Sequence, residues 1–285
     1  MFDPQTPASD LRRDCPSSSD DGIVLRPLAT TEDFHVCVEL QRATWGLHFS
    51  DLVPASLLKV SQKVGGLAIG AFDPAGAMLA FLFGLSGVVA GRLAHWSHML
   101  AVVPAARDRG LGVRLKRHQR KILLQEGVEV VRWTFDPLEA RNAHLNLDRL
   151  GAGVETYVEE MYAGEEGSDL AEGIGTDRFI VRWDLASERA KEALAGRLPS
   201  DLERYAASPI VAPETGTADP LPESRYIRIE IPRSIQDLKA IDLDRAVAFR
   251  ASSRRAFTHY LAAGYRIDTL LAEGEQRFYG LVRGE

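Results

Sequence analysis

Leu100-Ala-Val-Val-Pro104-Ala-Ala-Arg107-Asp-Arg-Gly110-Leu-Gly112-Val113 decides how this chain is read. A β-prone run stops at a proline, a short Arg/Gly loop follows, and a helix-like segment begins. Passing from extended chain to helix in so few residues leaves several backbone N–H groups unpaired and pointing the same way. Orphan donors and the helix dipole both favour negative charge, so the loop reads as an anion site. Gly110 and Gly112 let a ligand approach the backbone closely. The pattern Arg-x-x-Gly-x-Gly is neither a P-loop, which needs Gly-x-x-x-x-Gly-Lys-Ser/Thr, nor a dinucleotide fingerprint, which needs Gly-x-Gly-x-x-Gly.

Before the loop, Ile23–Leu28 is apolar and reads as a short strand, and Thr30–Trp45 opens with Thr, Glu and Asp, a good helix start. Pro54–Val64 predicts a second helix. Gly66–Phe72 and Met78–Val89 are apolar runs split by Asp73-Pro-Ala-Gly76, a hairpin turn. His95–Val103 is the strand that leads into the loop. After it, Gly110–Glu126 is helical, with Leu111, Leu115, His118 and Ile122 on one face and Arg114, Arg117 and Lys121 on another. Glu129–Phe135 predicts a strand, Leu138–Leu150 a helix, Val154–Tyr162 an extended segment and Arg178–Trp183 a strand. Periodicity alone thus gives a mixed α/β layer protein.

The strand, the Arg107–Val113 loop and the amphipathic helix together resemble the pyrophosphate loop of the GNAT superfamily, the acyl-CoA-dependent N-acyltransferases. The resemblance covers about residues 22–185. It implies a central mixed sheet flanked by helices, in the order β-α-α-β-β-β-α-β-α-β-β. Thr134-Phe-Asp-Pro-Leu-Glu-Ala-Arg-Asn-Ala143, Leu150-Gly-Ala152 and Thr176-Asp-Arg-Phe179-x-Val181-x-Trp183 are similar to one bacterial subgroup linked to N-acylation, including N-succinylation, of amino acids. The co-substrate so implied is acyl-CoA, as acetyl-CoA or succinyl-CoA, with no metal.

Attack of an amine on a thioester needs a phosphate anchor, a strand edge for pantetheine, a base, and stabilisation of the oxyanion and leaving thiolate. The anchor is the loop itself: Arg107, Asp108, Arg109, Gly110, Leu111, Gly112 and Val113, with Arg107 and Arg109 adding charge-assisted bonds. Arg114, Arg117 and Lys121 serve either the outer phosphates or a solvated helix face. The strand edge falls at Val102 and Val103, where a backbone N–H also polarises the carbonyl. Ser86, Ser97 and Cys37 lack the context of a nucleophile, which favours direct transfer. For the base, His95 and His98 lie three apart and face opposite ways unless a bulge intervenes. His98 is preferred, sharing its face with Trp96, a substrate contact. Asp136 is the other candidate base, although Asp before Pro is also a common turn residue.

The resemblance further implies cofactor contacts from Asn142 and, one turn on, Asn146. It departs from the family at Leu147, where a Tyr four residues before Gly-Phe often protonates the thiolate; here Gly151 precedes Ala152. Tyr157, Tyr162 or water are then left for that step, which a thiol pKa near 8.5 makes tolerable. Arg178 is either a carboxylate fork for substrate or a structural partner of Asp177 or Asp148.

Residues 1–21 are rich in Pro, Ser and Asp and read as a disordered tail. Residues 186–222 hold a charged helical segment and the linker Pro209–Pro222. Residues 223–285 follow with a strand at Tyr226–Ile231, a helix at Leu238–Gly264 and strands at Tyr265–Leu271 and Gln276–Val282. Arg254-Arg-Ala-Phe…Gly264-Tyr echoes Arg141-Asn-Ala-His…Gly151-Ala, so this tail is read as a partial GNAT-like half without a phosphate loop, against a generic helix-Gly-strand unit. Its strands are expected to complete a sheet with its own chain or in a homodimer.

A formal net charge of −6 argues against a nucleic-acid partner. Cys15 and Cys37 are too few for a disulfide framework and fit a reducing compartment. No run reaches transmembrane length and the N-terminus lacks a signal pattern, so the cytoplasm and no membrane partner are expected. The leading reading is an N-acyltransferase acting on a small-molecule amine, most readily an amino acid. The alternatives are a protein Lys or N-terminus acetyltransferase and a non-catalytic CoA-binding sensor.

Overall fold

The computed structural model describes residues 17–18, 21–163, 168–198, 202–212 and 220–284. Cys15, most of the tail expected to be disordered and half of the Pro209–Pro222 linker lie outside them. The chain divides into two compact units, Met1–Trp133 with Glu165–Asp169 and Asp184–Ala186, and Thr134–Gly164 with Leu170–Trp183 and Ser187–Glu285.

The first unit begins with β1 (Ser17–Ser18), which pairs with β2 (Val24–Pro27). Helix α1 (Thr31–Trp45) opens with a capping box between Thr30 and Asp33, the predicted Thr/Glu/Asp entry. Asp33 also takes the guanidinium of Arg26 at 2.7 Å. Helix α2 (Ala55–Lys63), β3 (Leu67–Phe72), β4 (Met78–Val89) and β5 (Arg92–Val102) follow. A 3-10 turn at Pro104–Ala106 leads to α3 (Leu111–Gln125) and then β6 (Val130–Phe135). The sheet order is β1-β2-β3-β4-β5-β6, antiparallel up to β5. β5 and β6 run parallel, and their register holds only His95↔Val131 and Trp96↔Arg132.

Phe34, Cys37 and Leu58 of α1 and α2 share a core with Phe81, Phe83, Met99 and Ala101. The other face carries α3, whose Leu111, Leu115, His118 and Ile122 are all buried as their spacing predicts. His95 and Ser97 bond α3 side chains, whereas Met99 and Ala101 lie in the α1/α2 core. The switch has a local cause. Phe83 pairs with Met99 and Gly84 with Ser97, so His98 is an extra residue bulged out of β5. A bulge disrupts the alternation of faces and re-aims the side chain it holds.

In the second unit the end of β6 is followed by α4 (Ala140–Ala143), which runs on as a π turn over His144–Arg149. Then come β7 (Gly153–Val158) and β8 (Arg178–Asp184), in the sheet order β6-β8-β7. α5 (Glu188–Leu194), α6 (Leu202–Tyr205) and the two-residue β9 (Ile210–Val211) lead to β10 (Tyr226–Ile231). The single helix predicted over Leu238–Gly264 is two, α7 (Ile235–Ile241) and α8 (Leu243–Ala262), because Asp242 caps α8 through Arg245 N–H. β11 (Tyr265–Glu273) and β12 (Gln276–Arg283) close the chain.

The tail's strands form a sheet of their own, β11-β12-β10-β9. This corrects one branch of the expectation for Tyr226–Ile231 and Gln276–Val282, that they extend the sheet of residues 22–185. Both are inner strands, because β9 of the linker pairs parallel with β10 and supplies one edge. The echo of the first half extends to register. In β7–β8, Val154↔Val181 is followed by Thr156↔Ile180, leaving Glu155 as a bulge. In β11–β12, Ile267↔Leu281 is followed by Thr269↔Gly280, leaving Asp268 as a bulge. Each helix-hairpin inserts its last strand beside the first. Phe179 and Tyr279 occupy matching places and meet at 5.4 Å in a T-shaped contact, joined by Phe257 at 4.8 and 5.5 Å. Each unit is thus a mixed α/β layer of strands and helices.

Candidate active site

The Arg107–Val113 segment is a short turn that joins β5 to α3. Ala106 N–H bonds Val103 O at 2.9 Å and Arg107 N–H bonds Pro104 O at 3.2 Å, turning the chain off the strand. Asp108 and Gly110 both take positive φ, 65° and 72°. Gly110 caps α3 without any side-chain bond, and the helix has no acidic residue in its first turn. The first helical bond is Arg114 N–H to Gly110 O at 3.1 Å, so the amides of Leu111, Gly112 and Val113 precede it. A Cβ on Gly110 would meet nothing within 4 Å, so glycine is required there by conformation rather than by space. Arg107 and Arg109 are exposed, and Arg109 approaches Asp21 at 3.6 Å. Arg114 is spoken for by Asp21 at 3.0 Å and by Ile23 O at 3.2 Å.

The strand edge needs one correction. Val103 N–H donates to Leu79 O at 2.9 Å, so it faces β4 and is not available to pantetheine. In an antiparallel ladder bonded and non-bonded pairs alternate. Val102, opposite Ala80, and Leu100, opposite Leu82, therefore turn their amides away from β4. Among the described residues that other edge is paired to β6 at His95 and Trp96 and carries no further strand at Leu100 and Val102. Leu100, which sequence reasoning passed over, thus joins Val102. Uncapped helix amides behind an open strand edge suit a ligand with a pyrophosphate and an amide-bearing arm, which is the shape of CoA.

The two histidines separate cleanly. His95 is 2 % exposed, with Ser86 Oγ on Nδ1 at 2.9 Å and Gln119 Nε2 on Nε2 at 3.0 Å. It is a satisfied interior group, and it explains Gly84, whose added Cβ would lie 2.2 Å from its Nε2. His98 stands on the bulge with Trp96 beside it on the strand, edge-on to Phe83 at 6.1 Å. Its pKa lies below the usual histidine value because desolvation outweighs the opposing charge of Asp51. Cys37 is buried and its thiol is pushed up to about 12, chiefly by desolvation, so it is no nucleophile. Lys116, 3 % exposed, donates to Ser97 Oγ at 2.8 Å and sits 3.7 Å over the Trp133 ring. Burial drives its pKa well down.

In the second unit, Asp136 has both oxygens engaged. Oδ1 accepts Leu138 N–H at 2.9 Å and Oδ2 accepts Arg250 Nη2 at 2.6 Å. Arg178 also stands 3.6 Å from Oδ2. Asp136, the other candidate base, thus has its oxygens on a backbone amide and a guanidinium. Arg178 donates to Asp177 O at 2.9 Å and faces the Tyr162 ring at 5.5 Å. Asp148 is instead paired with His144 at 2.8 Å. Asn142 is exposed on α4, and Asn146 is buried in the π turn. Leu147, where the resemblance led one to look for a Tyr, is fully buried. Of the hydroxyls left for thiolate protonation, Tyr157 donates to Asp177 and Tyr162 meets Thr134 Oγ1 at 2.9 Å. The tail carries the spacing the first half lacks, Tyr260 four residues before Gly264-Tyr265, but its hydroxyl donates to Pro222 O at 2.8 Å.

No protein-family model matches the sequence, and no curated protein matches it. Solved structures do match. The ribosomal-protein-S5-alanine acetyltransferase from Vibrio fischeri is 11 % identical, over 61 % of this chain and 98 % of that one, with a TM-score of 0.49. The ribosomal-protein-S18-alanine N-acetyltransferase from Escherichia coli is 19 % identical, over 58 % and 97 %, at 0.43. A putative acetyltransferase from Salmonella typhimurium, solved with acetyl-CoA, is 17 % identical, over 58 % and 95 %, at 0.45. Among the described residues no cluster of His, Cys, Asp or Glu has metal-binding geometry, and no helix is long and apolar enough to cross a membrane.

Proposed function

We propose that the chain is an acyl-CoA-dependent N-acyltransferase that passes an acetyl or succinyl group to a small amine, with an amino acid as the leading acceptor. One observation carries the reading: an uncapped helix N-terminus, opened by a left-handed Gly110, directly follows a strand whose edge is open at Leu100 and Val102. Bound acyl-CoA supplies the activated thioester. The Arg107–Val113 loop holds its phosphates through backbone amides, with Arg107 and Arg109 adding charge. The turned-out amides of β5 hold the pantetheine and stabilise the oxyanion. His98, neutral at physiological pH because its pKa is lowered, takes the proton from the acceptor ammonium. Trp96 lines the acceptor side.

Calorimetry of the full chain with acetyl-CoA tests the binding half of this reading. One CoA per chain is expected, because the tail repeats the helix and hairpin without the loop. Two per chain, or none, would contradict it. The engaged hydroxyls of Tyr157 and Tyr162 favour one second reading, a CoA-binding sensor without turnover. Amine-dependent release of CoA thiol separates the two.

A further inference from the structure

β5 and β6 pair at two positions and then part. Their parallel register runs His95↔Val131 and Trp96↔Arg132, so the pair due next is Ser97 with Trp133. Among the described residues that pair does not form, and a side chain of α3 stands in its place. Lys116 donates from Nζ to Ser97 Oγ at 2.8 Å, and the same nitrogen lies 3.7 Å over the Trp133 ring. One residue thus touches both strands where they separate. Beyond it on β5 come the bulge at His98 and the outward amides of Leu100 and Val102. All of these residues belong to the first unit.

The bulge by itself does not account for the parting. A bulge costs one residue of register, and the ladder resumes beyond it. β4 and β5 do resume, with Phe83↔Met99 and Leu82↔Leu100 on the far side of His98. β5 and β6 do not. The residue found at the fork is also a poor core filler. Lys116 and Ser97 are both buried. Burial drives the lysine pKa well down, and no neighbouring charge offsets the shift. An amine stripped of water for a single hydrogen bond costs more than a Leu or Met of similar volume. What lysine offers over those residues is reach, a four-carbon stem ending in a donor. From α3 that reach spans the fork.

We infer that Lys116 is the spacer that keeps β5 and β6 from pairing past Trp96, and so keeps the Leu100 and Val102 amides open to acyl-CoA. The second half of that statement rests on the acyltransferase reading above; the first half does not. Lys116 is a positioning residue, since it touches the two strands and acts on the cofactor through them. Without its stem, Ser97 and Trp133 close up, the ladder runs on, and β6 carbonyls take the amides that the pantetheine needs.

The test combines amide hydrogen exchange on the full chain without ligand and calorimetry with acetyl-CoA. Lys116→Ala should slow exchange over residues 97–103 by about tenfold or more in the free protein. It should also weaken acetyl-CoA binding by about tenfold or more. A residue that only filled the core would move exchange the other way, because a cavity loosens the ladder around it. Lys116→Met keeps the length without the amine and should match the parent in both measurements. If Lys116→Ala does not fold, Lys116→Leu, apolar and shorter than lysine, gives the same readout. Unchanged or faster exchange in the shortened variant overturns the inference. So does slowed exchange with the parent's affinity for acetyl-CoA, and so does a Lys116→Met variant as impaired as the shortened one. Failure of the acyltransferase reading looks different. A parent chain that binds acetyl-CoA without turnover refutes that reading alone. A parent chain that binds none refutes it together with the cofactor half of the inference, and the exchange measurement then decides the spacer by itself.

Discussion

Replacing Gly110 tests the anion loop through its backbone. The residue sits at φ 72°, ψ 12°, and an added Cβ meets nothing within 4 Å. A side chain therefore acts through conformation alone, by disfavouring the left-handed region by about 1–2 kcal/mol. Without ligand the loop escapes that strain by leaving the conformation, which swings the amides of Leu111, Gly112 and Val113 out of line. Binding must restore them, so the strain reappears in affinity as a loss of about 5- to 30-fold. Asn tolerates this region better than Ala, and a β-branched Val tolerates it worst. The expected order of CoA affinity by calorimetry is thus Gly, Gly110→Asn, Gly110→Ala, Gly110→Val. A folded Gly110→Val variant with unchanged affinity would refute the loop as the phosphate site.

His98→Ala should lower turnover by about 10²–10⁴ and leave CoA affinity alone; because the His98 pKa is lowered, the acid limb of the kcat/KM profile should fall below about 6.5, and a limb that survives the substitution assigns it elsewhere. Glu139 is raised to about 7, first by desolvation and then by the charges of Asp136 and Asp237, against bonds from Gln236 N–H and Ser234. A carboxyl raised in the fold costs nothing below its unfolded value and its full penalty above its folded one, so this group loses stability as pH climbs from about 4.5 to 7. Glu139→Gln should therefore be more stable than the parent at pH 8, by at most about 3 kcal/mol, and no better at pH 4; parallel denaturation curves at both pH values would contradict this. Gly84→Ala places a Cβ 2.2 Å from His95 Nε2 and 2.8 Å from Trp96 O, so it should lower stability by about 1–3 kcal/mol, read as a lower Tm.

The local parts of this protein were legible in its sequence. Thr30 and Asp33 announced α1, Met78–Val89 read as β4 residue for residue, and the spacing of Leu111, Leu115, His118 and Ile122 gave the buried face of α3. Gly110 read as room for a ligand, whereas its positive φ is what calls for glycine there. What stayed hidden is set by partners distant in sequence. Nothing in His95–Val103 marks the bulge at His98, which exists only against Phe83 and Gly84 of β4. Val103 and Val102 look alike until Leu79 claims the amide of one. Asp136 reads as a candidate base or a turn residue before a proline, and the arginine on its Oδ2 comes from a helix more than a hundred residues later. The linker's Ile210–Val211 reads as spacer and becomes the edge of a sheet.

The central claim is that the chain transfers an acyl group to an amine, and amine-dependent release of CoA thiol from acetyl-CoA and succinyl-CoA, with the product identified by mass, tests it most directly. The account predicts that an amino acid in the panel accelerates thiol release above background hydrolysis and appears as its N-acyl derivative, one for each CoA freed. A chain that binds acyl-CoA but releases no additional thiol with any amine would contradict it.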